Sequence, residues 1–531
     1  MVRESGHLAP SSHVQIAQDL CLSTAYAKAE PTKVELRETH ISWVFLTKNK
    51  VYKVKKPVNF GFLDFSTLEA RKLACEAEVR LNRRLAEDVY LGVRPVFQSP
   101  LGRYSFLTGG RVADYAVAMQ RLPDTARADN KLARGDLSIQ EVDALASKIA
   151  VFHSECRQDD EVAAFGKPQA IRRNVDENFE QTRATINMCL SKDEVRSLEE
   201  WQRRFLDQHE TYLMERVQAG FIRDGHGDLR LEHAYWRKGN WTVIDCIEFN
   251  DRFRYADTCA DVAFMAMDLT AHEHPLLSER FIARYARDSN DFGLYPLLDF
   301  YQSYRAFVRG KVALLSADEL TGITPSLAER ARHYFLVAHA AAHAPLEPAR
   351  VIAIGGLVAS GKSALADRLS LELGCPVVES DRTRKQLFGV APADSLDQGP
   401  WTGAYDEAAS DRVYTELFNR AGHVLEARRS VVIDASFRTR KARKQARVLA
   451  QAHGVGFLFI ECRVPKEIAL KRLALRHTQE AVSDAREDLY ESFVAAYEPV
   501  TELPPDAHMT LATDRTIEDS VSDARARILD E

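Results

Sequence analysis

A glycine-rich stretch in the second half of the chain has the composition and spacing of a phosphate-binding loop. Residues 356–363 are GLVASGKS, which fits GxxxxGK[ST], with the apolar run 351–354 before them and a helical run, 364–373, after them. Glycines let main-chain N–H groups turn inward around phosphates, the lysine reaches the outer phosphates and the serine can ligate magnesium. A chance glycine-rich turn is the alternative, which this context disfavours. We therefore expect an ATP and Mg²⁺ site built from Gly356, Leu357, Val358, Ala359, Ser360, Gly361, Lys362 and Ser363.

Two aspartates stand at predicted strand ends in the same half. Asp434 closes an apolar strand, 430–435, and Asp381 comes two residues after the strand 376–379. Parallel strands that alternate with helices place such ends at one edge of a sheet, where ligands bind. We expect Asp434 to hold magnesium or its water, and Asp381 to act as general base toward an acceptor hydroxyl. Capping of a following helix is the alternative for each.

Three segments after the loop extend this interpretation. SDRTRKQLFG, VVIDASF and CRVPKEIALKRLALR resemble the P-loop kinases related to polynucleotide kinase and zeta toxins, and the resemblance covers about residues 350–531. It implies that Asp381 activates an acceptor hydroxyl and that two lid arginines, Arg472 and Arg476, clamp the phosphates. These two lie four residues apart on one helical face, although solvated surface arginines are equally common there.

A basic run at residues 438–447 holds six Lys or Arg in ten residues. Arg440, Arg443 and Arg447 share a helical face and could bind an anionic acceptor. A solvated helix is favoured, because no aromatic residues interleave to stack bases.

A second pair of carboxylates is predicted in the first half. Asp228 lies in the segment HGDLRLEH, and two strands, 234–237 and 241–245, form a hairpin after it. Folding back brings Asp245, at the end of the hairpin, close to the loop of Asp228. Phosphoryl transfer uses such a pair, one to orient the acceptor hydroxyl and accept its proton, the other to hold magnesium on the nucleotide.

HGD followed by IDC strongly resembles the aminoglycoside phosphotransferase family, which shares the eukaryotic protein kinase fold, over roughly residues 35–340. The resemblance implies that Asp228 is catalytic, that Asp245 is the metal ligand, and that Asp261 braces the catalytic loop. His233 stands where the family has asparagine. Imidazole is a poorer ligand than an amide oxygen for a hard cation, so either metal binding by His233 is altered or this half is an inactive pseudokinase.

A strand lysine is expected to grip the nucleotide phosphates in the smaller lobe. Lys53 matches the family's lysine, with Glu78 as its helix partner or, less favoured, Glu76. Lys55 lies on the same face of the strand, so periodicity does not separate the two lysines and only the resemblance favours Lys53.

The segment 116–123 looks like the inter-lobe hinge of this family, whose main chain would bind adenine, here at Met119 and Arg121. An ordinary edge strand is the alternative.

These residues require two folded modules. A strand, strand, helix order followed by mainly helical sequence predicts a bilobal, protein-kinase-like α+β domain over residues 1–345, with a small lobe at about 30–122 and a large lobe at about 123–345. Strands alternating with helices predict an α/β P-loop NTPase domain over 346–531, with a parallel sheet flanked by helices.

Composition agrees with two domains. The chain has 531 residues, 45% of them apolar, which is enough for more than one core. A net charge of −6 gives no global reason to expect a nucleic acid or membrane partner, although a nucleic-acid hydroxyl stays possible as acceptor. Eight cysteines without CxxC spacing, no leader-like N-terminus and no long apolar run favour a cytoplasmic protein.

Overall fold

The computed structural model describes residues 10–27, 33–59, 63–316, 322–343, 348–391, 394, 396, 402–476 and 490–529. The chain divides into two compact units. The first comprises residues 1–268 and 304–336, and the second comprises residues 269–303 and 337–531. The domain boundary predicted at residues 345 and 346 stays a prediction.

Strands and helices are numbered here in chain order. The strands are β1 (Glu35–Glu38), β2 (Ser42–Leu46), β3 (Lys50–Lys55), β4 (Tyr90–Gln98), β5 (Tyr104–Ser105), β6 (Arg111–Gln120), β7 (Ile222–Asp224), β8 (Ala234–Arg237), β9 (Asn240–Val243), β10 (Tyr255–Asp257), β11 (Arg350–Gly356), β12 (Val377–Glu379), β13 (Val431–Asp434), β14 (Gly456–Arg463) and β15 (His508–Ala512). The helices are α1 (Pro10–Leu20), α2 (Leu68–Ala86), α3 (Ala128–Ala133), α4 (Ile139–Glu155), α5 (Asp160–Ala163), α6 (Pro168–Thr182), α7 (Lys192–Gln208), α8 (Glu210–Gln218), α9 (Thr258–Ala271), α10 (Pro275–Ser289), α11 (Tyr295–Leu315), α12 (Pro325–Ala341), α13 (Lys362–Leu373), α14 (Ser380–Leu387), α15 (Glu407–Glu426), α16 (Arg440–Ala452), α17 (Lys466–Arg476), α18 (Tyr490–Ala495) and α19 (Ile517–Leu529).

The first unit opens with a six-stranded antiparallel sheet in the order β1-β2-β3-β6-β4-β5. Strands β2 and β3 pair antiparallel and helix α2 follows them, which agrees with the predicted strand, strand, helix order. Helix α2 packs its Cys75 and Val79 against Tyr90 and Val117 of the sheet. Each large apolar side chain buried in this way contributes roughly 1.5–3 kcal/mol to folding.

Helix α2 is capped by Thr67, whose hydroxyl accepts the N–H of Ala70 at 3.1 Å. The N–H of Ser66 donates to Asp64 Oδ1 at 2.9 Å. Thr67 has the extended backbone that an N-cap needs.

The rest of the first unit is mainly helical, as predicted, with capping boxes at the starts of α4 and α7. The hairpin of β8 and β9 is confirmed, and both turn residues, Lys238 and Gly239, have positive φ. Strand β9 ends at Val243 and not at Asp245 as predicted. The φ of Asp245 is 66°, so its backbone has left the extended conformation.

The second unit contains a five-stranded parallel sheet in the order β12-β13-β11-β14-β15, so the predicted parallel sheet is confirmed. Its strands carry near-continuous apolar runs because helices cover both faces. Ile352 and Ile354 of β11 pack with Leu365 and Leu369 of α13, which fixes the helix directly after its strand. Helix α10 also belongs to this unit.

Within the part of the chain that the structure describes, no helix is both long and apolar enough to cross a membrane. All eight cysteines are free thiols.

Candidate active sites

The loop of Asp228 is held by a buried carboxylate on α9. Asp261 accepts the N–H of His226 through Oδ2 at 2.6 Å and the N–H of Gly227 through Oδ1 at 2.8 Å. Gly227 has a φ of 83°, and a Cβ there would lie 2.8 Å from the carbonyl oxygen of Phe253. Asp261 thus makes the bracing contacts that the resemblance implied.

His226 joins this loop to the hairpin. Its Nε2 donates to the carbonyl oxygen of Ile244 at 3.0 Å, and its Nδ1 accepts the N–H of Asp228 at 3.3 Å. Burial lowers the pKa of His226 to about 4, so the ring is neutral and its tautomer is set by these two bonds.

An arginine forms a bidentate ion pair with the carboxylate of Asp228. Nε of Arg230 donates to Oδ1 at 2.8 Å, and Nη2 donates to Oδ2 at 2.9 Å. Burial would raise the pKa of Asp228, but the adjacent Arg230 guanidinium more than offsets it and holds the pKa well below its usual range. Glu232 contacts the same guanidinium. No role for Arg230 was predicted, although its position two residues after Asp228 was the available signal.

Asp245 faces the small-lobe lysine. Its Oδ1 accepts from Lys53 Nζ at 2.6 Å, and its N–H donates to the Tyr90 hydroxyl at 3.2 Å. Burial would raise the pKa of Asp245, yet the nearby positive charges, of which that of Lys53 acts most strongly, together outweigh it and hold the pKa far below its usual range. The carboxylate is 41% exposed and therefore reaches the cleft.

Both lysines of β3 converge on one glutamate. Lys53 Nζ lies 3.1 Å from Oε1 of Glu78, while Lys55 contacts Oε2 of Glu78 and also Glu248. The side chain of Lys55 is fully buried, whereas that of Lys53 is 14% exposed and also reaches Asp245. The predicted pair of Lys53 and Glu78 is therefore present in the structure. The rejected alternative, Glu76, is exposed and pairs with Lys72.

His233 lies between the two carboxylates of the cleft. Its Nδ1 donates to the main-chain oxygen of Asp228 at 2.8 Å, and its Nε2 lies 3.3 Å from Nη2 of Arg230 and 3.5 Å from Oδ2 of Asp245. Nε2 thus faces both a donor, Arg230, and a carboxylate, Asp245. His233 Nε2 and Asp245 Oδ2 are close enough to ligate one cation together.

The predicted hinge residues lie at the end of β6. Met119 is buried and pairs in register with Val51 and Tyr90. The N–H of Arg121 donates to the Asn49 carbonyl at 2.9 Å. The Arg121 side chain donates through Nη1 to the main-chain carbonyl of Thr47 at 2.8 Å. The Arg121 N–H is therefore engaged within the small lobe.

The glycine-rich loop of the second unit connects β11 to α13. Gly356 has a φ of 136°, and a Cβ there would collide with the carbonyl oxygen of Cys462. Ala359 and Gly361 also have positive φ, at 58° and 87°. Alternating conformations of this kind turn successive N–H groups toward one point, as anion-binding nests do. Lys362 Nζ donates to the carbonyl of Leu357 at 2.9 Å, which keeps the ammonium over the loop.

Asp434 ends the adjacent strand beside this loop. It hydrogen-bonds to the hydroxyl of Ser363 and pairs in register with Ile354 and Glu379 of the neighbouring strands. Burial raises the pKa of Asp434 to about 7, and the nearby charge of Lys362 only partly offsets it. A serine hydroxyl and a carboxylate are hard oxygen donors, so this pair fits a hydrated Mg²⁺ ion.

Asp381 lies in the first turn of α14 rather than at its cap. The cap position is Glu379, and among the described residues no side-chain hydrogen bond caps the helix. Glu379 is held instead by Arg287 of α10, whose Nε and Nη2 donate to its two oxygens at 2.7 and 2.8 Å. Its charge and that of Asp381 both raise the pKa of Asp434, so the three carboxylates share one edge of the sheet.

Of the two predicted lid arginines, Arg472 is described. Its Nη1 donates to the Ala359 carbonyl at 3.3 Å, and its Nη2 donates to that of Thr513 at 2.6 Å, so it contacts the glycine-rich loop. Arg476 is the last residue of α17, and its side chain lies outside the described residues.

The basic run 438–447 is not one exposed face. Arg443 is fully buried and pairs with Glu502, and its Nη1 donates to the carbonyl of Phe437 at 2.8 Å. It is a core residue of α16, whereas Arg440 is exposed.

Two family models match the chain. The model of the phosphotransferase enzyme family matches residues 49–301, and an AAA domain model matches residues 351–500. The chain is therefore a phosphotransferase of the kinase class, with a kinase-like module followed by a P-loop kinase-like module. The fold class and the enzyme class predicted from the sequence are confirmed.

Whole-chain relatives are found in mycobacteria. The uncharacterized protein Rv2004c of Mycobacterium tuberculosis and the uncharacterized protein Mb2027c of Mycobacterium bovis are each 31% identical over 447 residues, which is 83% of this chain and 86% of each relative. The chain belongs to one family with these proteins.

Solved structures are similar to parts of the chain. The GDP complex of aminoglycoside 2′-phosphotransferase-IIIa is 14% identical with a TM-score of 0.35, covering 61% of this chain and 98% of that one. A gluconokinase from Sinorhizobium meliloti is 18% identical with a TM-score of 0.26, covering 34% and 93%. The Mycobacterium tuberculosis APS kinase bound to AMPPNP and APS is 20% identical with a TM-score of 0.26, covering 34% and 98%.

Proposed function

We propose that this chain is a bifunctional, ATP- and Mg²⁺-dependent phosphotransferase that acts on a hydroxyl of a small molecule or a nucleic acid. The observation that carries the proposal is the assembly at one sheet edge of the glycine-rich loop, Lys362, Ser363, Asp434 and Asp381. Each part of phosphoryl transfer has a group there: phosphate binding, metal ligation and activation of the acceptor. The proposed modules are residues 1–345 and 346–531, in a cytoplasmic protein.

In the P-loop module, inward-facing N–H groups and Lys362 bind the β- and γ-phosphates of ATP. Magnesium held by Ser363 and Asp434 would neutralise charge on those phosphates. Arg472 lies against the loop and would add positive charge as the γ-phosphoryl group transfers, together with Arg476. Asp381 orients the acceptor hydroxyl and takes its proton.

In the first module, Lys53 positioned by Glu78 binds the phosphates, and Asp245 with His233 would hold the metal. Asp228 orients the acceptor hydroxyl, and adenine would lie against the main chain at Met119 and Arg121, where the Arg121 N–H is not a donor to it because it is bonded to the Asn49 carbonyl. The connected network from Glu78 through Lys53 to Asp245 favours a working phosphotransferase, because each carboxylate is held ionised by a positive partner.

The second candidate is a pseudokinase sensor that regulates the P-loop module, which then acts as a kinase or as an ATPase switch. Two observations favour it: His233 replaces an oxygen ligand, and Arg230 occupies both oxygens of Asp228. In this alternative the first module binds nucleotide without transferring phosphate.

Phosphate transfer from labelled ATP to a pooled metabolite and oligonucleotide extract separates these candidates. The wild type is compared with Lys362→Ala, Asp228→Asn and, as a control, the exposed Lys444→Ala. Two products, one lost with each active-site variant, support the bifunctional enzyme. A single product lost only with Lys362→Ala supports the sensor, and transfer unaffected by both variants refutes the proposal.

A further inference from the structure

A buried arginine lies one helical turn beyond Asp381. Arg384 of α14 is only 7% exposed. Its Nη1 donates to the carbonyl of Ala404, and its guanidinium carbon lies 4.6 Å from the centroid of the Tyr405 ring. Its buried Nε has no hydrogen-bond partner in the part of the chain that the structure describes. A buried donor left without an acceptor costs free energy, so this group is suited to a ligand that supplies one.

A second guanidinium shares the region. Arg438 follows β13 and is half-buried, and burial together with the charge of Arg384 lowers its pKa. The Tyr414 hydroxyl lies beside both: it accepts the N–H of Phe437 at 2.9 Å and lies 3.4 Å from Ser436 Oγ. Burial raises the pKa of Tyr414, while Arg438 and Arg384 each lower it. Like charges repel when desolvated together, and an oxyanion between them removes that cost.

We propose that the acceptor of the P-loop module is a small anionic alcohol, whose phosphate, sulfate or carboxylate group binds Arg384 and Arg438. The inference rests on the proposed function, in which Asp381 takes the hydroxyl proton. Asp381 and Arg384 are three residues apart on α14, so their Cβ atoms are separated by about 5–6 Å. The hydroxyl and the anionic group would therefore be carried by one small molecule.

The acceptor hydroxyl oxygen attacks the γ-phosphorus of ATP while the bond between that phosphorus and the β–γ bridging oxygen breaks. ADP leaves with the electrons of that bond, and the hydroxyl proton passes to Asp381. The anionic group of the acceptor stays on the two arginines throughout and fixes the position of the hydroxyl.

The test uses the full chain and a panel of small alcohols, each in a neutral, carboxylated, sulfated and phosphorylated form, with labelled ATP as donor. We expect transfer to anionic members, and the favoured form identifies the oxyanion. Arg384→Ala and Arg438→Ala should each lower kcat/KM for the anionic acceptor roughly 10- to 100-fold, mainly through KM. Arg384→Lys should restore part of the loss, because lysine keeps the charge but not the planar fork.

Arg412→Ala is the matched control, since Arg412 is an exposed arginine of α15. Because Arg384 is buried, its substitution can also disturb folding. Arg438 is half-buried, so Arg438→Ala tests the same anionic site with less effect on the fold. Equal use of neutral and anionic alcohols, with Arg384→Ala and Arg438→Ala leaving that ratio unchanged, overturns the inference. Failure of the proposed function is different: no alcohol accepts phosphate, and Lys362→Ala turns over ATP as the wild type does.

Discussion

Nε2 of His233 lies 3.5 Å from Oδ2 of Asp245, across the cleft of the kinase-like module. At this position the sequence replaces the amide expected from the family resemblance with an imidazole. Imidazole nitrogen ligates manganese and other transition metals more readily than it ligates magnesium. The metal preference of the first module is therefore the first property to measure.

His233→Asn should strengthen magnesium binding by the first module roughly tenfold, as a change of ligand and of its hydrogen bonds does. The measurement is Mg²⁺ and Mn²⁺ affinity by titration calorimetry with a non-hydrolysable ATP analogue, in a Lys362→Ala background that silences the second site. The wild type should favour Mn²⁺ more than the variant does. Identical metal affinities in both proteins would show that His233 is not a ligand.

Substitution of Lys53 and substitution of Lys55 should affect ATP binding and stability differently. Lys53→Met should weaken ATP binding by the first module roughly 10- to 100-fold and lower stability less than Lys55→Met does, because its ammonium reaches the cleft. Lys55→Met leaves Glu78 and Glu248 buried with one fewer positive partner, and should lower the free energy of unfolding by about 3–5 kcal/mol. Denaturant unfolding and nucleotide titration of both variants check this. Equal effects of the two substitutions on both measurements would contradict the assignment of Lys53 to the nucleotide.

Asp434 should make the nucleotide-free protein less stable as the pH rises. Its folded pKa is about 7 against an ordinary value of 3.8, so between these values the folded state holds a proton that the unfolded state has released. Stability falls through that window, and the penalty is complete above about pH 7. Asp434→Asn removes it, so the variant should gain stability over the wild type at about pH 8 and little at about pH 4. A difference in Tm that is constant between those pH values would refute this prediction.

Gly356→Ala should abolish nucleotide binding by the P-loop module. The φ of 136° is unfavourable for alanine, and the new methyl group collides with the carbonyl oxygen of Cys462. Gly454→Ala is the matched control, because that glycine also has positive φ, at 65°, but has no heavy atom within 4 Å of a Cβ. Binding of a fluorescent ATP analogue should be lost only in the first variant, and retention there would show that the loop tolerates a side chain.

The P-loop module could be predicted in detail because its signals are local. The glycine-rich loop lies between an apolar strand and a helix in the sequence, and each later strand is a short apolar run. Asp434 and Asp381 follow such runs, so sheet topology alone brings them to one edge. The pair of Asp228 and Asp245 was likewise predictable from a hairpin of two short strands.

Other features depend on packing between distant segments and left no local signal. Lys53 and Lys55 share one strand face, and only the fold shows that Lys55 is buried and pairs with both Glu78 and Glu248. Arg384 was part of a motif that carried the family resemblance, but its burial depends on the segment with Tyr405. Asp245 has a positive φ and lies beyond the end of β9, and its partners Lys53 and Tyr90 are far away in the sequence.

The number of ATP molecules bound per chain tests the central claim most directly. With magnesium and a non-hydrolysable analogue, titration calorimetry should give two sites in the wild type, and one in Lys362→Ala. A wild type that binds one nucleotide, and a Lys362→Ala variant that binds none, would contradict the account of two ATP-binding modules.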